Sequence, residues 1–380
     1  MIFADHAATT PVRREALEAM WPYLTGSFGN PSSRHGIGEE AARALAWARD
    51  AVAAVVGCRG GDVVFTSGGT EADNLAILGL SLANPRGRHV VVSPVEHEAV
   101  LGAADALRRL HGFEVDEVAV DETGSVTPEA LARVIRPDTT LVSVQLANNE
   151  TGTVNPIAEL SAVAHDAGAL MHTDAVQAAG WLPLAIDDLG VDALSLAGHK
   201  VGAPKGTGAL VVRGRLPIEP VLHGGGQERG RRSGTENVAG AVAFATALRL
   251  AEDERADAAA RVGAATARFR ELVAAAVPDA VPTGHPSRRL PGTVSYVFPG
   301  TGGEAVLLEL ERRGVVVSSG SACAAGSDEP SHVLTAMGVA PDVALTAVRF
   351  SFDGDVTEAD AAAAASALAE AVSAVRGIVA

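Results

Sequence analysis

Short apolar runs alternate with segments of helical periodicity through the first 213 residues of this chain. Such runs are typical of buried strands, and their alternation with helices is typical of a parallel sheet. The predicted strands are 62–66, 89–93, 114–120, 140–146, 169–173, 191–196 and 209–213. The predicted helices are 11–24 (with Pro11 at its first position), 39–56, 71–82, 98–110, 128–135 and 157–167. We therefore predict an α/β fold with a mostly parallel seven-stranded sheet.

The pattern changes after about residue 238. A long alanine-rich helix is predicted over 238–277 and a Pro/Gly-rich link over 282–286. A strand (293–298), a helix (304–313), a strand (315–318) and a final helix from Thr357 follow. The 380 residues exceed the roughly 100–200 of one domain. We predict a large domain over 12–255 and a smaller α+β domain made of 1–11 and 256–380.

Composition narrows the classes of function. The net charge of −16 disfavours nucleic-acid binding, because an acidic chain repels phosphate backbones. We find no apolar stretch long enough for a membrane span and no basic amino-terminal region of a secretory signal. The two cysteines, Cys58 and Cys323, give no disulfide framework. We expect a cytoplasmic protein without a membrane or nucleic-acid partner.

Asp174 and Lys200 each follow a predicted strand, where open α/β sheets bind ligands. A lysine there can form a Schiff base, and a buried Asp can keep a pyridine nitrogen protonated, as pyridoxal phosphate chemistry requires. The alternative is that both are ordinary loop charges. Further polar residues at other strand ends favour the functional interpretation.

Gly69 and Thr70 lie in a turn between a strand and a helix, where free backbone N–H groups can bind an anion. Ser or Thr before Glu also caps ordinary helices, so this signal is weak alone. His97 opens a helix and could stack on a planar cofactor, although a surface histidine would look the same. Asn149 and Gln177 follow strands and could bond a phenolate, or could serve as turn residues. A helix starting near Asp174 could turn Gln177 toward the same site.

Three further features concern the second half of the chain. Residues 223–235 are rich in Gly and Arg, which indicates either a solvated loop or a mobile segment whose Thr235 meets a phosphate across a dimer interface. Cys323 lies among small residues, which favours an exposed, reactive thiol. Cys58 follows a predicted helix, and we interpret it as a packing residue without a chemical role. Arg349 interrupts an apolar strand, so we expect it to bind a carboxylate bidentately, either an internal one or that of an amino-acid substrate.

These residues together resemble the NifS/IscS-type cysteine desulfurases, within the class V aminotransferases of PLP fold type I. The resemblance runs nearly end to end. The matching segments are 5–11, 28–33, 66–74, 96–97, 148–150, 172–177, 198–200, 223–235, 318–323 and 349–351. It implies a homodimeric PLP enzyme that converts L-cysteine to L-alanine and passes sulfur to an acceptor protein. The resemblance does not identify the pathway that receives the sulfur, which could be iron–sulfur cluster assembly, tRNA thiolation or a dedicated biosynthetic pathway.

The resemblance also implies a role for each matching residue. Lys200 would form the Schiff base and move protons, and Cys323 would attack the substrate sulfur and become a persulfide. His97 would stack on the pyridoxal ring and assist as acid or base. The remaining roles are a pyridine-nitrogen partner (Asp174), phenolic-oxygen partners (Gln177, Asn149), phosphate ligands (Gly69, Thr70, His199 and the second subunit's Thr235), and substrate contacts (Asn149, Arg349). No metal is implied.

One position departs from the family pattern. Ala197 stands where a serine hydroxyl often contacts the phosphate, a loss of roughly 0.5–1.5 kcal/mol that would not abolish binding. The alternatives are a selenocysteine lyase, another class V aminotransferase-like enzyme and a non-catalytic sulfur-relay scaffold. A cysteine on a small-residue loop argues against simple transamination, and the intact Lys200, Asp174 and His97 argue against the scaffold.

Overall fold

The computed structural model describes residues 1–84, 86–214, 216–319 and 329–379. Cys323 lies outside the described residues. Within them, a seven-stranded sheet forms the centre of the first 212 residues. Its strands are β2 (Val63–Thr66), β3 (His89–Val92), β4 (Glu114–Glu117), β5 (Thr139–Ser143), β6 (Leu170–Asp174), β7 (Ala193–Ala197) and β8 (Gly208–Val212).

The strand order is β2-β8-β7-β6-β5-β3-β4, and β8 runs antiparallel to both of its neighbours. The other pairings are parallel, which confirms the predicted mostly parallel sheet. The central strands are apolar because separate hydrophobic clusters cover the two faces of the sheet. Val91 and Val142 point into one cluster, whereas Val90 and Leu141 point into the other.

Helices pack on both faces of this sheet. Those of the first 236 residues are α1 (Arg14–Thr25), α2 (Gly36–Val56), α3 (Gly69–Asn74), α4 (Ser81–Ala83), α5 (Glu98–His111), α6 (Pro128–Val134), α7 (Ile157–Asp166) and α8 (Ile186–Leu189). A π-helical stretch, Leu75–Leu80, joins α3 to α4. The long α9 (Val238–Ala276) packs against α1 and α2.

The remaining strands form two small sheets. The three-stranded antiparallel sheet has the order β12-β10-β9, made of β9 (Val281–Thr283), β10 (Thr293–Val297) and β12 (Val348–Ser351). The amino-terminal β1 (Ile2–Phe3) pairs in parallel with β11 (Val315–Val316). Helices α10 (Gly303–Arg312), α11 (His332–Ala336), α12 (Pro341–Ala344) and α13 (Glu358–Val379) complete the described chain. None of the described helices is long and apolar enough to cross a membrane.

The apolar clusters support the proposed two-domain division. Helix α9 contributes Ala251 to the cluster of the large sheet and Val262 to a separate cluster around the three-stranded sheet. Ala4, close to the amino terminus, also belongs to this second cluster. A boundary near residue 255, with residues 1–11 in the small domain, agrees with this packing and stays a prediction.

The first helix begins later than predicted, at Arg14 instead of Pro11. The N–H and hydroxyl groups of Thr10 both donate to the carbonyl oxygen of His199, and the N–H of Arg13 donates to that of Gly202. These bonds hold residues 10–13 extended beside the turn that contains Lys200. Tertiary hydrogen bonds therefore override the preference of proline for a helix start.

Candidate active site

Nine predicted site residues, which come from separate segments of the chain, line one cavity of about 230 Å³. They are Gly69, Thr70, His97, Asn149, Asp174, Gln177, His199, Lys200 and Arg349. All except Arg349 follow or end strands of the seven-stranded sheet, so the cavity lies at the carboxyl edge of its parallel strands. This is where open α/β sheets bind ligands.

Asp174 is the last residue of β6, and its side chain is buried. The N–H of Val176 donates to Asp174 Oδ1 at 2.8 Å. Burial raises the pKa of Asp174, although this N–H, His97 and Lys200 oppose the rise. A positively charged group in the cavity would stabilise the ionised carboxylate.

Lys200 ends a short 3₁₀ turn, Gly198–Lys200, directly after β7. Its Nζ donates to the carbonyl oxygens of Ala7 and Ala8, the second at 3.0 Å. The amino-terminal segment therefore positions the lysine amine. Lys200 and Lys205 are the only lysines in the sequence, and Lys205 is exposed.

His97 is the N-cap of α5, as predicted, and its Nδ1 accepts from the N–H of Ala99 at 3.1 Å. This bond leaves the ring half-buried at the cavity wall. The bond also fixes the tautomer, because a nitrogen that accepts carries no proton. A ring held in this way can present a flat face to a ligand.

Gly69 and Thr70 begin the helical segment that follows β2. A Cβ atom at Gly69 would lie 2.9 Å from Val176 Cγ2 and 3.4 Å from Ala197 Cβ. Glycine therefore lets this helix start lie against the β6 and β7 loops. Free N–H groups at a helix start, with the exposed Thr70 hydroxyl, are the groups that bind phosphate.

His199 lies between these segments. Its Nδ1 is 3.2 Å from the hydroxyl oxygen of Thr9. Burial, together with the charges of Lys200 and Lys205, lowers the pKa of His199 to about 4. The imidazole is therefore neutral at pH 7, and it can donate one hydrogen bond to an anion without a net charge.

Gln177 reaches the cavity from turns rather than from a helix, so the expected helix after Asp174 was wrong. The N–H groups of Ala178 and Ala179 both donate to the carbonyl oxygen of Ala175, and those of Trp181 and Leu182 donate to that of Ala178, so the segment forms consecutive turns and no helix. Gln177 Nε2 donates to the carbonyl oxygen of Ala7 at 3.0 Å. The amide is thus held by the same carbonyl as the lysine amine.

Arg349 enters from β12 and is 1% exposed. Its Nη2 donates to Asp5 Oδ1 at 2.6 Å, and its Nη1 donates to the carbonyl oxygen of Asn149 at 2.8 Å. The predicted carboxylate partner is therefore an internal one, but the two nitrogens bind different acceptors. An incoming carboxylate would compete with Asp5 for this guanidinium.

Asp73 was not predicted from the sequence; it is 2% exposed and lines the cavity with Asp174. Its Oδ1 lies 3.9 Å from His172 Nε2, and among the described residues this oxygen has no hydrogen-bond partner. Burial raises the pKa of Asp73 well above its usual value, and the neighbouring Asp174 adds to the rise. Its position three residues after Thr70, on an inward helix face, was the available signal.

Thr235 does not line this cavity. It is exposed and borders a second cavity with Ser67, Glu228 and Arg232. Arg232 Nε donates to Glu71 Oε1 at 2.7 Å, so the Gly/Arg-rich loop is tied to the helix that starts at Gly69. Within one subunit, Thr235 is therefore close to the site but outside it.

Cys58 follows the left-handed Gly57 that ends α2. Its thiol is half-buried, and burial raises the pKa of Cys58 to about 11. A protonated thiol is a poor nucleophile at neutral pH. This agrees with the interpretation of Cys58 as structural.

Comparison with known proteins decides the family. The class-V aminotransferase family matches residues 2–363. The chain belongs to this family. It is 43% identical over 360 residues to the cysteine desulfurase IscS of Dictyoglomus turgidum, which covers 94% of this chain and 91% of that protein. The predicted family and enzyme class are confirmed, and class V members of this kind are PLP-dependent.

Solved structures agree with the sequence match. A NifS-like protein superposes with a TM-score of 0.90 at 35% identity, over 98% of this chain and 99% of the other. SspA in complex with cysteine superposes with a TM-score of 0.82 at 34% identity, over 93% of this chain and 99% of that one. The predicted PLP fold type I is therefore confirmed.

Proposed function

We propose that this chain is a PLP-dependent cysteine desulfurase that forms L-alanine from L-cysteine and holds the sulfur as a persulfide on Cys323. The observation that carries the proposal is the convergence of Lys200, Asp174 and His97 on one cavity with a phosphate-type helix start. The family and the cysteine desulfurase relatives support the same reaction.

The cavity fits pyridoxal phosphate. When bound, this cofactor supplies an aldehyde that condenses with amines and a ring that withdraws electrons. Asp174, whose pKa is raised by burial, gains a cationic partner when a pyridinium N–H faces it. Gln177 and Asn149 offer amide donors to the phenolic oxygen. His97 lines the same cavity and would stack on the ring.

Gly69, Thr70 and the neutral His199 would hold the phosphate. A dianion is stabilised there by helix N–H groups and hydroxyls without a full positive charge. Ala197 lines the same wall and offers no hydroxyl. The loss is limited, because several other donors remain.

Substrate orientation falls to Arg349 and Asn149. The carboxylate of L-cysteine would replace Asp5 on the Arg349 guanidinium, a charge-assisted exchange that keeps the buried cation paired. Lys200 lines the same cavity, so the substrate amine would lie within the space that the lysine amine also borders. The Lys200 amine, held by the Ala7 and Ala8 carbonyls, then moves protons at the substrate α- and β-carbons.

Sulfur transfer needs no external oxidant or reductant. The Cys323 thiolate attacks the substrate sulfur, an S–S bond forms, and the substrate Cβ–S bond breaks. Cβ is reduced and takes a proton, which gives L-alanine, while the sulfur becomes the oxidised outer atom of the persulfide. An acceptor protein then removes that sulfur.

We further propose a homodimer in the cytoplasm. Leu17, Trp21 and Leu24 occupy one exposed face of α1 and are 48%, 64% and 56% exposed. Such an apolar face favours a protein contact, and a second subunit would bring Thr235 toward the partner's phosphate site. Mixed dimers of Lys200→Ala and Thr235→Ala subunits test this. Active mixed dimers, with one intact site, support the shared site, whereas a single defect in each site contradicts it.

The test of cofactor attachment uses the lysine content of the chain. Borohydride reduction should fix pyridoxyl on Lys200, and peptide mapping can distinguish it from Lys205, the only other lysine. Lys200→Ala should lose the yellow absorbance of the lysine-linked cofactor and the activity. The control, Lys205→Ala, should keep the absorbance. Label on Lys205 in the wild type would overturn the assignment.

A further inference from the structure

The chain on the carboxyl side of the segment that contains Cys323 is fixed to the active site by contacts outside the proposed chemistry. Ser331, the N-cap of α11, donates from Oγ to Glu150 Oε2 at 2.6 Å. Both residues are buried, at 6% and 3% exposure. Glu150 directly follows Asn149, a wall residue of the cavity.

The next residue makes a second attachment. His332 Nε2 lies 3.0 Å from the carbonyl oxygen of Glu96, and its Nδ1 lies 3.6 Å from Glu98 Oε1. Glu96 and Glu98 flank His97, so the imidazole of His332 spans the residue proposed to stack on the cofactor. The contacts of Ser331 and His332 therefore attach α11 to two different loops, one containing Asn149 and the other containing His97.

Apolar packing supports the same position. Val333, Leu334 and Met337 cluster with Val95, which lies two residues before His97. On the other side of the Cys323 segment, Ser318 exchanges two backbone hydrogen bonds with Arg349, at 2.7 and 3.2 Å. Both described flanks of this segment are thus attached to residues of the cavity wall.

Because Glu150 is buried, its carboxyl depends on the hydrogen bond from Ser331. Desolvation raises the pKa of Glu150, while the Ser331 hydroxyl, His332 and Arg349 oppose the rise. A buried carboxyl loses its water and needs a replacement donor, so the hydroxyl stabilises one position of the helix start. A displaced α11 would leave that carboxyl unpaired by Ser331.

We infer that Ser331 and His332, through Glu150 and the Glu96 carbonyl, are positioning residues for sulfur transfer. They fix the carboxyl-terminal flank of the Cys323 segment beside Asn149 and His97. This inference rests on the proposed function, in which Cys323 accepts the sulfur. Bond formation depends strongly on placement, and an error of about 1 Å can cost on the order of 100-fold in rate.

The test measures persulfide formation on Cys323 in a single turnover of the PLP-loaded enzyme. Ser331→Ala should lower this rate by about tenfold to 100-fold. The cysteine concentration that half-saturates the change in cofactor absorbance should stay within about twofold of wild type, because Lys200, Asp174 and Arg349 are untouched. Ser331→Thr keeps a hydroxyl and should recover most of the rate.

Thr335→Ala is the matched control. Its hydroxyl lies on the same helix but bonds only to the Ser331 and His332 carbonyls among the described contacts. We expect it to transfer sulfur at the wild-type rate. A readout independent of the cofactor is amide hydrogen exchange of α11 in the apoprotein, which should become faster in Ser331→Ala and not in Thr335→Ala.

His332→Ala keeps the inference testable if Ser331→Ala does not fold. The His332 side chain is 36% exposed, so its loss leaves little buried space. It should also slow persulfide formation without weakening cysteine binding. Wild-type persulfide rates in both Ser331→Ala and His332→Ala, or in His332→Ala when Ser331→Ala does not fold, would overturn the inference. Cys323→Ser separates the two proposals, because a fully active Cys323→Ser enzyme would refute the proposed function itself.

Discussion

The cavity has two walls that handle charge in opposite ways. Asp73 and Asp174 belong to the wall at the carboxyl edge of the large sheet, and Glu96 is buried nearby. Desolvation raises the pKa of all three carboxyls. The wall from the three-stranded sheet buries one cation, Arg349, which already binds Asp5 and the Asn149 carbonyl.

This difference in charge indicates which ligand each wall is able to bind. Desolvation is the main cause of these raised pKa values, and a pyridinium N–H would add a positive charge beside Asp174. Arg349 has an internal carboxylate that a substrate carboxylate can replace at little cost in pairing. We therefore propose that the first wall holds the cofactor and that the second exchanges substrates.

Asp174→Asn should give the largest change on the cofactor wall. Without a carboxylate, the pyridine nitrogen loses its proton partner, and kcat should fall on the order of 100- to 1,000-fold. The absorbance of the bound cofactor should also change its pH dependence. Turnover and absorbance titrations measure both effects. Normal turnover in this variant would remove Asp174 from the proposed role.

Arg349→Lys probes the substrate wall and should have a smaller, different effect. An ammonium cannot replace the planar guanidinium that binds two acceptors, so KM for cysteine should rise about tenfold to 100-fold. The cofactor absorbance without substrate should match wild type. An altered cofactor spectrum with an unchanged KM would show that Arg349 acts on the cofactor and not on the substrate.

Asp73→Asn should have the smallest effect, on apoprotein stability. The folded pKa of Asp73 is raised, so the folded state keeps a proton that the unfolded chain loses above about pH 4. This contribution to stability is present at low pH and is lost as pH rises through the folded pKa.

The amide of Asp73→Asn does not titrate, so its contribution to stability does not change with pH. In thermal unfolding measured at increasing pH above about 4, Asp73→Asn should therefore lose less stability than wild type. Parallel curves for the two proteins would show that Asp73 is not held protonated.

The sequence was enough to predict the residues at the carboxyl edge, because apolar runs locate strand ends and Asp174 and Lys200 follow them directly. It did not predict the contacts of the amino-terminal segment, since no periodicity connects Ala7 and Ala8 with Lys200 across the chain. The late start of α1 has the same origin in hydrogen bonds from Thr10 and Arg13. Asp73 was missed because the inward face of a short helix depends on its packing.

The proposed reaction requires that the Cys323 thiol accept the sulfur of the substrate, and Cys323→Ser is the sharpest test of that requirement. The variant, loaded with PLP and given L-cysteine, should show the same cofactor absorbance change as wild type. It should form no protein persulfide by mass spectrometry and negligible alanine, whereas Cys58→Ser should behave as wild type. Normal alanine and sulfide production by Cys323→Ser would contradict the account.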